Sequence, residues 1–259
     1  MPKFAANLSL MFTERDFLGR FAAARASQFE AVEFLFPYAW PASAIAEQLE
    51  RNNLALVLHN LPPGNWAAGD RGMACDPARA HEFRDSVALA LDYAATLKVR
   101  QLHCLAGVLP EGVAHQDAHA TYVDNLRFAA AALQRHGLDL LIEPINTFDM
   151  PGYFLTGSAQ ASAIITECDV DNLYLQYDMY HMQRMEGNLA EGIRTHLPLI
   201  RHMQLADVPG RHEPGTGNID YRALFRLIDE LGYEGWIGCE YHPMAETAAG
   251  LGWMSAPDA

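Results

Sequence analysis

The sequence predicts an α/β fold, a single (β/α)8 barrel of the TIM type spanning residues 1–259. Short apolar strand-like runs alternate with longer amphipathic stretches along the whole chain, and alternation implies parallel strands joined by right-handed crossovers. Eight such units favour closure into a barrel over an open doubly wound sheet. No G-x-G-x-x-G follows the first strand, which weakens a dinucleotide-binding alternative. No Pro/Ser-rich linker or low-complexity segment marks a domain boundary.

The strand-like runs come first as KFAANLSL (3–10), AVEFLF (31–36), LALVLHN (54–60) and VRQLHCL (99–105). Four more follow: LDLLIEP, NLYLQYD, LIRHMQ and GWIGCE. Between them, residues 14–27, 41–52, 79–97, 118–136, 158–168, roughly 187–197 and 220–231 carry apolar residues at three- and four-residue steps, as in Phe83, Val87, Ala90, Leu91 and Ala94. Ser158 and Asp220 suit helix N-caps, and Gly137 and Gly232 suit helix C-termini. The longest irregular segments, 61–78, 105–117 and 206–219, each follow a strand end, where long loops are usually functional.

Composition narrows the function. Half the residues are hydrophobic and 19% are charged, enough apolar matter for a large core. A net charge of −14 argues against nucleic acid or an anionic membrane as partner. It leaves room for an anionic small substrate, since a metal and one arginine set the local field. No run of 18 apolar residues suggests a membrane span, and the start MPKFAANLSLMFTERDF lacks the apolar core of a signal peptide. Cys75, Cys104, Cys168 and Cys239 show no C-x-x-C spacing and read as reduced, buried thiols of a cytoplasmic protein.

The chemistry gathers in the second half. Glu143, Asp178, Gln204 and Glu240 each sit at the end of an apolar run, with separations 178−143 = 35, 204−178 = 26 and 240−204 = 36 residues. A strand, helix and two turns occupy roughly 30 residues. A closed barrel brings such strand ends to one face, the face that carries the chemistry. Three carboxylates and an amide converging there call for a cation. Oxygen-only donors point to Mg²⁺ or Mn²⁺, because zinc favours His or Cys. Pro144 stiffens the strand end after Glu143, and Asn146 and Asp149 stand near enough in sequence to orient the ligands. His181 follows Asp178 by three residues and is placed to contact a substrate oxygen. Arg211, in a Gly/Pro-rich loop, suits a substrate carboxylate. His59 and His103 end the third and fourth strands and are candidates to line the same pocket. Glu213 reads as structural or solvated, and Trp66 as lid or loop packing.

The stretches NLPPGNWAAGDRG, EPINTFDMPGYFL, QYDMYHMQRMEGNL, HMQLADVPGRHEPGTGNIDY and GWIGCEYHP resemble the hydroxypyruvate isomerase family, within the xylose-isomerase-like barrels that also hold the ketose 3-epimerases and 2-oxo-tetronate isomerases. The similarity covers nearly the whole chain. It implies the (β/α)8 fold, Glu143 and Glu240 as the acid/base pair, and Glu143, Asp178, Gln204 and Glu240 as metal ligands. The epimerases carry a histidine where Gln204 stands, so this departure points to the isomerase branch. His181 and Arg211 match substrate-contact positions of the epimerases.

The expected reaction is a metal-assisted isomerisation of a small 2-oxo acid, hydroxypyruvate to 2-hydroxy-3-oxopropanoate, by proton transfer through an enediolate. A 2-oxo-tetronate isomerase is the first rival and a sugar 3-epimerase the second. From other classes stand a three-zinc DNA-repair endonuclease, which the charge and oxygen-only donors disfavour, and a non-catalytic metal-binding barrel. Trp66, Met73 and Trp253 read as loop apolars open to a second copy in a homo-oligomer, the first two equally to a lid. The tail 245–259 reads as loosely packed.

Overall fold

Eight parallel strands pair in sequence order and the last returns to the first, closing the barrel. The computed structural model describes residues 2–255. The strands are β1 (Lys3–Asn7), β2 (Ala31–Phe34), β3 (Ala55–Asn60), β4 (Gln101–His103), β5 (Asp139–Ile142), β6 (Leu173–Asp178), β7 (Ile200–Leu205) and β8 (Trp236–Cys239). Around them lie α1 (Phe17–Ala26), α2 (Ala42–Arg51), α3 (Ala80–Leu97), α4 (His115–Gln134), α5 (Ser158–Cys168), α6 (Met179–Met185), α7 (Leu189–His196) and α8 (Tyr221–Glu230).

Strand alternation sorts side chains between two cores. One parity packs outward under the helices, where Val32 and Phe34 join Phe17 and Phe21 of α1. The other parity puts Ala5, Ala31 and Leu141 in a small separate apolar cluster. Two residues further along the same strands, on the same face, stand Asn7, Glu33 and Glu143. The barrel interior is thus apolar low down and polar at the C-terminal ends of its strands.

Helix boundaries follow local chemistry. Asp220 caps α8 by accepting the Ala223 amide at 3.0 Å, and Tyr221, Leu224, Leu227 and Ile228 form its buried stripe. Gly137 and Gly232 take positive φ after α4 and α8. Ser158 is not a cap. It is the first residue of α5, and its amide and hydroxyl both donate to the Glu186 carboxylate, which does the capping from another loop. The helix expected near 187–197 is α7, and an unexpected one, α6, precedes it because Asp178 caps it directly at the end of β6.

Two loop expectations change. Met73 is buried, so it is unavailable to a partner chain or as a lid. The tail is docked through Ser255: Thr247–Ser255 forms 3-10 turns, and Trp253 packs on Phe4 at 5.0 Å between ring centres. The buried Thr247 hydroxyl oxygen accepts the Phe12 amide at 2.7 Å, tying the tail to the first loop. Residues 256–259 of that tail lie outside the described ones. All four cysteines are free and buried. Among the described residues, no helix is long and apolar enough to cross a membrane.

Candidate active site

Four of the expected site residues meet. Glu143, Asp178, His181 and Glu240 each offer a ligand atom, all within 4.8 Å of one another, and all four residues are buried. Each is delivered by a strand end: Glu143 directly follows β5, Asp178 closes β6, His181 lies in the first turn of α6, and Glu240 directly follows β8.

Asp178 splits its carboxylate between two tasks. One oxygen caps α6, accepting the amides of Tyr180 at 2.7 Å and His181 at 3.4 Å. The other has no hydrogen-bond partner. Glu143 is divided in the same way: Oε2 accepts Gln176 Nε2 at 3.0 Å, and Oε1 is buried without a partner. Buried acceptors left unmade are costly unless something electropositive meets them.

Electrostatics point the same way. Burial, and then the charges of Glu240 and Asp178, raise Glu143 well above the usual carboxylate range. Burial raises Asp178 despite Arg211 and the helix amides. Burial pushes Glu240 up to about 8, with Arg211 pulling the other way. The cluster holds protons tightly because its carboxylates lack a sufficient counter-charge.

Arg211 supplies part of that charge. Its Nη2 donates to Glu240 at 2.8 Å and lies 3.9 Å from Asp178 and 3.5 Å from His181 Nε2. Burial works against its charge, but Glu240, Asp178 and Glu143 outweigh that and raise its pKa. The residue adopts φ +55°, a left-handed backbone costing a side-chain-bearing residue about 1–2 kcal/mol. Asp207 makes that conformation hold. Its buried carboxylate accepts four backbone amides, from Val208, Gly215, Gly217 and Ile219, and its carbonyl accepts the Arg211 amide at 2.9 Å. A Cβ at Gly217 would overlap the Val208 carbonyl, so only glycine closes this loop.

Gln204 sits beside Asp178 in the β6–β7 register. Its Oε1 accepts Gln176 Nε2 at 2.6 Å, the nitrogen that also donates to Glu143. Its Nε2 donates to Glu33 at 2.8 Å. Glu33 also accepts Asn7 at 2.9 Å and His202 at 2.6 Å, and a Cβ at Gly238 would overlap its carboxylate. Glu33, Gln176, His202 and Asn7 were not singled out from the sequence.

His103 enters the site, with Nε2 3.5 Å from Glu143 Oε2. Burial, then His202, lowers its pKa to about 3, so it is neutral. His59 does not enter, which corrects the expectation. It is in register with Phe34, its ring stacks toward that outward-facing residue at 6.3 Å, and burial holds its pKa near about 4. The next residue, Asn60, pairs with His103 and has the inward parity. Trp66 packs on Phe36 and under the Arg71 guanidinium at 4.1 Å, and Glu213 accepts the Met244 amide at 3.1 Å.

Comparison with known proteins places this site in context. A family model described as the xylose isomerase-like TIM barrel matches residues 21–256. The chain is 50% identical to a hydroxypyruvate isomerase of Escherichia coli K12 over 98% of each chain. It is 49% identical to a 2-oxo-tetronate isomerase of Cupriavidus necator, again over 98% of each. Among solved structures, one described as an AP endonuclease of family 2 from Brucella melitensis superposes with a TM-score of 0.96 at 45% identity, covering 98% of both chains.

Proposed function

The chain belongs to the hydroxypyruvate isomerase family of xylose isomerase-like TIM barrels, and from that premise we propose that it interconverts the ketone and aldehyde forms of a small 2-oxo acid. The favoured reaction is hydroxypyruvate to 2-hydroxy-3-oxopropanoate. The observation that carries this reading is the convergence of Glu143 and Glu240 within 4.8 Å of each other at the C-terminal ends of β5 and β8. Proton transfer between adjacent carbons needs one group to take a proton and one to return it, and two carboxyl groups at one site can supply both.

The residues fit a divalent cation. Glu143 Oε1 and Asp178 Oδ2 are buried and unpartnered, and Glu240 stands with them, a hard oxygen set suited to Mg²⁺ or Mn²⁺. Gln204 Oε1 is bridged to the same cluster through Gln176. When bound, the cation would supply Lewis-acid stabilisation of the negative charge that develops on the substrate oxygens. Glu143 and Glu240 are the acid/base pair, one taking the proton from carbon and the other returning one to the neighbouring carbon. Glu240 is held in place by Arg211, whose Nη2 donates to it at 2.8 Å. Arg211 has its Nε without a partner and binds the substrate carboxylate. His181 donates a hydrogen bond from Nε2 to a substrate oxygen.

The near-equal identity to a 2-oxo-tetronate isomerase favours that longer acid as the second reading. The net charge of −14 runs against a nucleic-acid substrate. A coupled assay of the Mg²⁺- or Mn²⁺-loaded protein on both oxo acids, with and without chelator, tests the proposal. Turnover of hydroxypyruvate abolished by chelator is expected. Preference for 2-oxo-tetronate by kcat/KM would move the assignment to the second reading, and turnover of neither would overturn it.

A further inference from the structure

We propose that Glu33 is a positioning residue that fixes which end of the Gln204 amide faces Gln176, on the side of Glu143, and thereby sets the affinity of the site for a divalent cation. This rests on the metal-dependent reading above and goes beyond it, to a residue on the far side of the barrel that touches neither substrate nor the clustered carboxylates.

An amide has one end that can ligate a hard cation, its oxygen, and one that cannot, its NH₂ group. The two ends are nearly isosteric, so orientation has to be imposed by neighbours. Glu33 is buried and its carboxylate is surrounded by donors: Asn7 Nδ2 at 2.9 Å, His202 Nε2 at 2.6 Å and Gln204 Nε2 at 2.8 Å. An ionised carboxylate only accepts. Reversing Gln204 would therefore set its oxygen against Glu33, acceptor on acceptor. The same reversal would turn its NH₂ toward Gln176 Nε2, donor on donor, where a 2.6 Å hydrogen bond now stands. Gln176 is held in turn by Glu143 Oε2 at 3.0 Å. Glu33, Gln204, Gln176 and Glu143 thus form one chain across the barrel, with a carboxylate at each end. The glycine at 238 leaves the space that the Glu33 carboxylate occupies. A layer of barrel interior that is ordinarily filled by branched aliphatics is here given to a device for aiming one oxygen.

The test is a double-mutant cycle read by calorimetric titration of Mg²⁺, and separately Mn²⁺, into substrate-free protein. The set is wild type, E33D, Q204A and E33D/Q204A. Glu33→Asp keeps the charge but withdraws the carboxylate from Gln204, separating aim from field. Loss of a group that orients a ligand typically weakens metal binding about 10–100-fold. We expect E33D and Q204A each to weaken binding by about that much, and the double variant to bind no more weakly than Q204A, because E33D keeps the charge felt by Glu143 and Glu240 and changes only the contact with Gln204. In turnover, E33D should need more Mg²⁺ for half-saturation, with kcat recovered at saturating metal. Wild-type affinity in E33D, or losses that multiply in the double variant, would overturn the proposal. If E33D does not fold by circular dichroism, E33Q takes its place: its effect beside Q204A measures the lost charge on Glu143 and Glu240, a larger loss in the presence of Gln204 supports the aim, and an equal effect in both backgrounds overturns it. Calorimetry reads the metal without substrate, so failure to turn over either oxo acid would overturn the reaction without touching this cycle.

Discussion

The side-chain amide nitrogen of Asn146 lies 2.6 Å from Nδ1 of His181, and its orientation is fixed because Asn146 Oδ1 accepts the amides of Phe148 and Asp149. His181 Nδ1 is therefore the acceptor and Nε2 carries the proton, as assigned from these partners. Burial, then Arg211, keeps the ring neutral. Although His181 is close enough to join the carboxylates around a cation, this tautomer makes it a donor toward substrate. Asn146→Asp reverses the polarity at Nδ1 and would turn the Nε2 lone pair into the site. We expect kcat to fall about 10²–10⁴-fold, the range of a misplaced proton in a catalytic site. Steady-state kinetics with nitrogen NMR of the imidazole checks it; an unchanged tautomer with lost activity would contradict the mechanism.

Glu143→Gln and Glu240→Gln should separate activity from stability. Each should lose about 10²–10⁴ in kcat. In metal-free protein Glu143 faces carboxylates with no close cationic partner other than the shared Arg211, so its neutral isostere relieves repulsion and should raise Tm. Glu240 has Arg211 at 2.8 Å, and E240Q should gain less or nothing. Calorimetric melts in chelator decide it; a lower Tm for E143Q than for E240Q would be the contrary result.

The metal-free protein should weaken as pH rises from about 7.5 toward 8. Glu240 is raised to about 8, so across the range from its unfolded value near 4.5 up to 8 the unfolded chain gives up its proton first and native stability falls as pH rises. Glu143 and Asp178 shift in the same direction. His59, His103 and His181 are shifted down, so they lose stability as pH falls below about 6.5 and oppose the carboxylates there. About one pH unit higher the unfolded histidines are neutral as well, and the carboxylates dominate the slope. Added Mg²⁺ competes with the protons and should raise Tm strongly at pH 8 and little at pH 5. A metal-free Tm that climbs from about pH 7.5 to 8 would count against the cluster electrostatics.

Asp207→Asn should damage both the loop and the substrate contact. It replaces an acceptor of four backbone amides with a group whose NH₂ faces two of them, at a cost of about 2–3 kcal/mol. Arg211 would lose its enforced left-handed backbone, so KM for the oxo acid should rise more than kcat falls. Urea unfolding and initial-rate kinetics measure the two effects; an unchanged KM would detach Arg211 from carboxylate binding.

The periodicities carried most of this architecture. Strands ending in Glu143, Asp178, Gln204 and Glu240 were legible because each run is apolar up to one oxygen. What escaped depends on parity and on distance in sequence. His59 and Asn60 are neighbours at a strand end, and nothing in LALVLHN says which of them turns inward. Gln176 and His202 were visible in principle: each precedes a named site residue by two, so strand alternation puts each on the same face as its site neighbour. Glu33 lies in an apolar run whose partners Gln204 and His202 are 171 and 169 residues away, a pairing that only barrel closure creates. The helix of Met179–Met185 was missed because its cap, Asp178, was read for its charge alone.

The overlap between a Cβ at 238 and the carboxylate at 33 has a consequence for how such a sequence can drift. The two positions lie 205 apart in the chain (238−33 = 205) yet occupy one volume, so they are not free to vary independently. A side chain at 238 would push the Glu33 carboxylate out of its present place, whereas Glu33 can be shortened with Gly238 unchanged. A change at either position therefore acts on the other: a side chain at 238 would loosen the aim of Gln204 as surely as shortening the acid at 33.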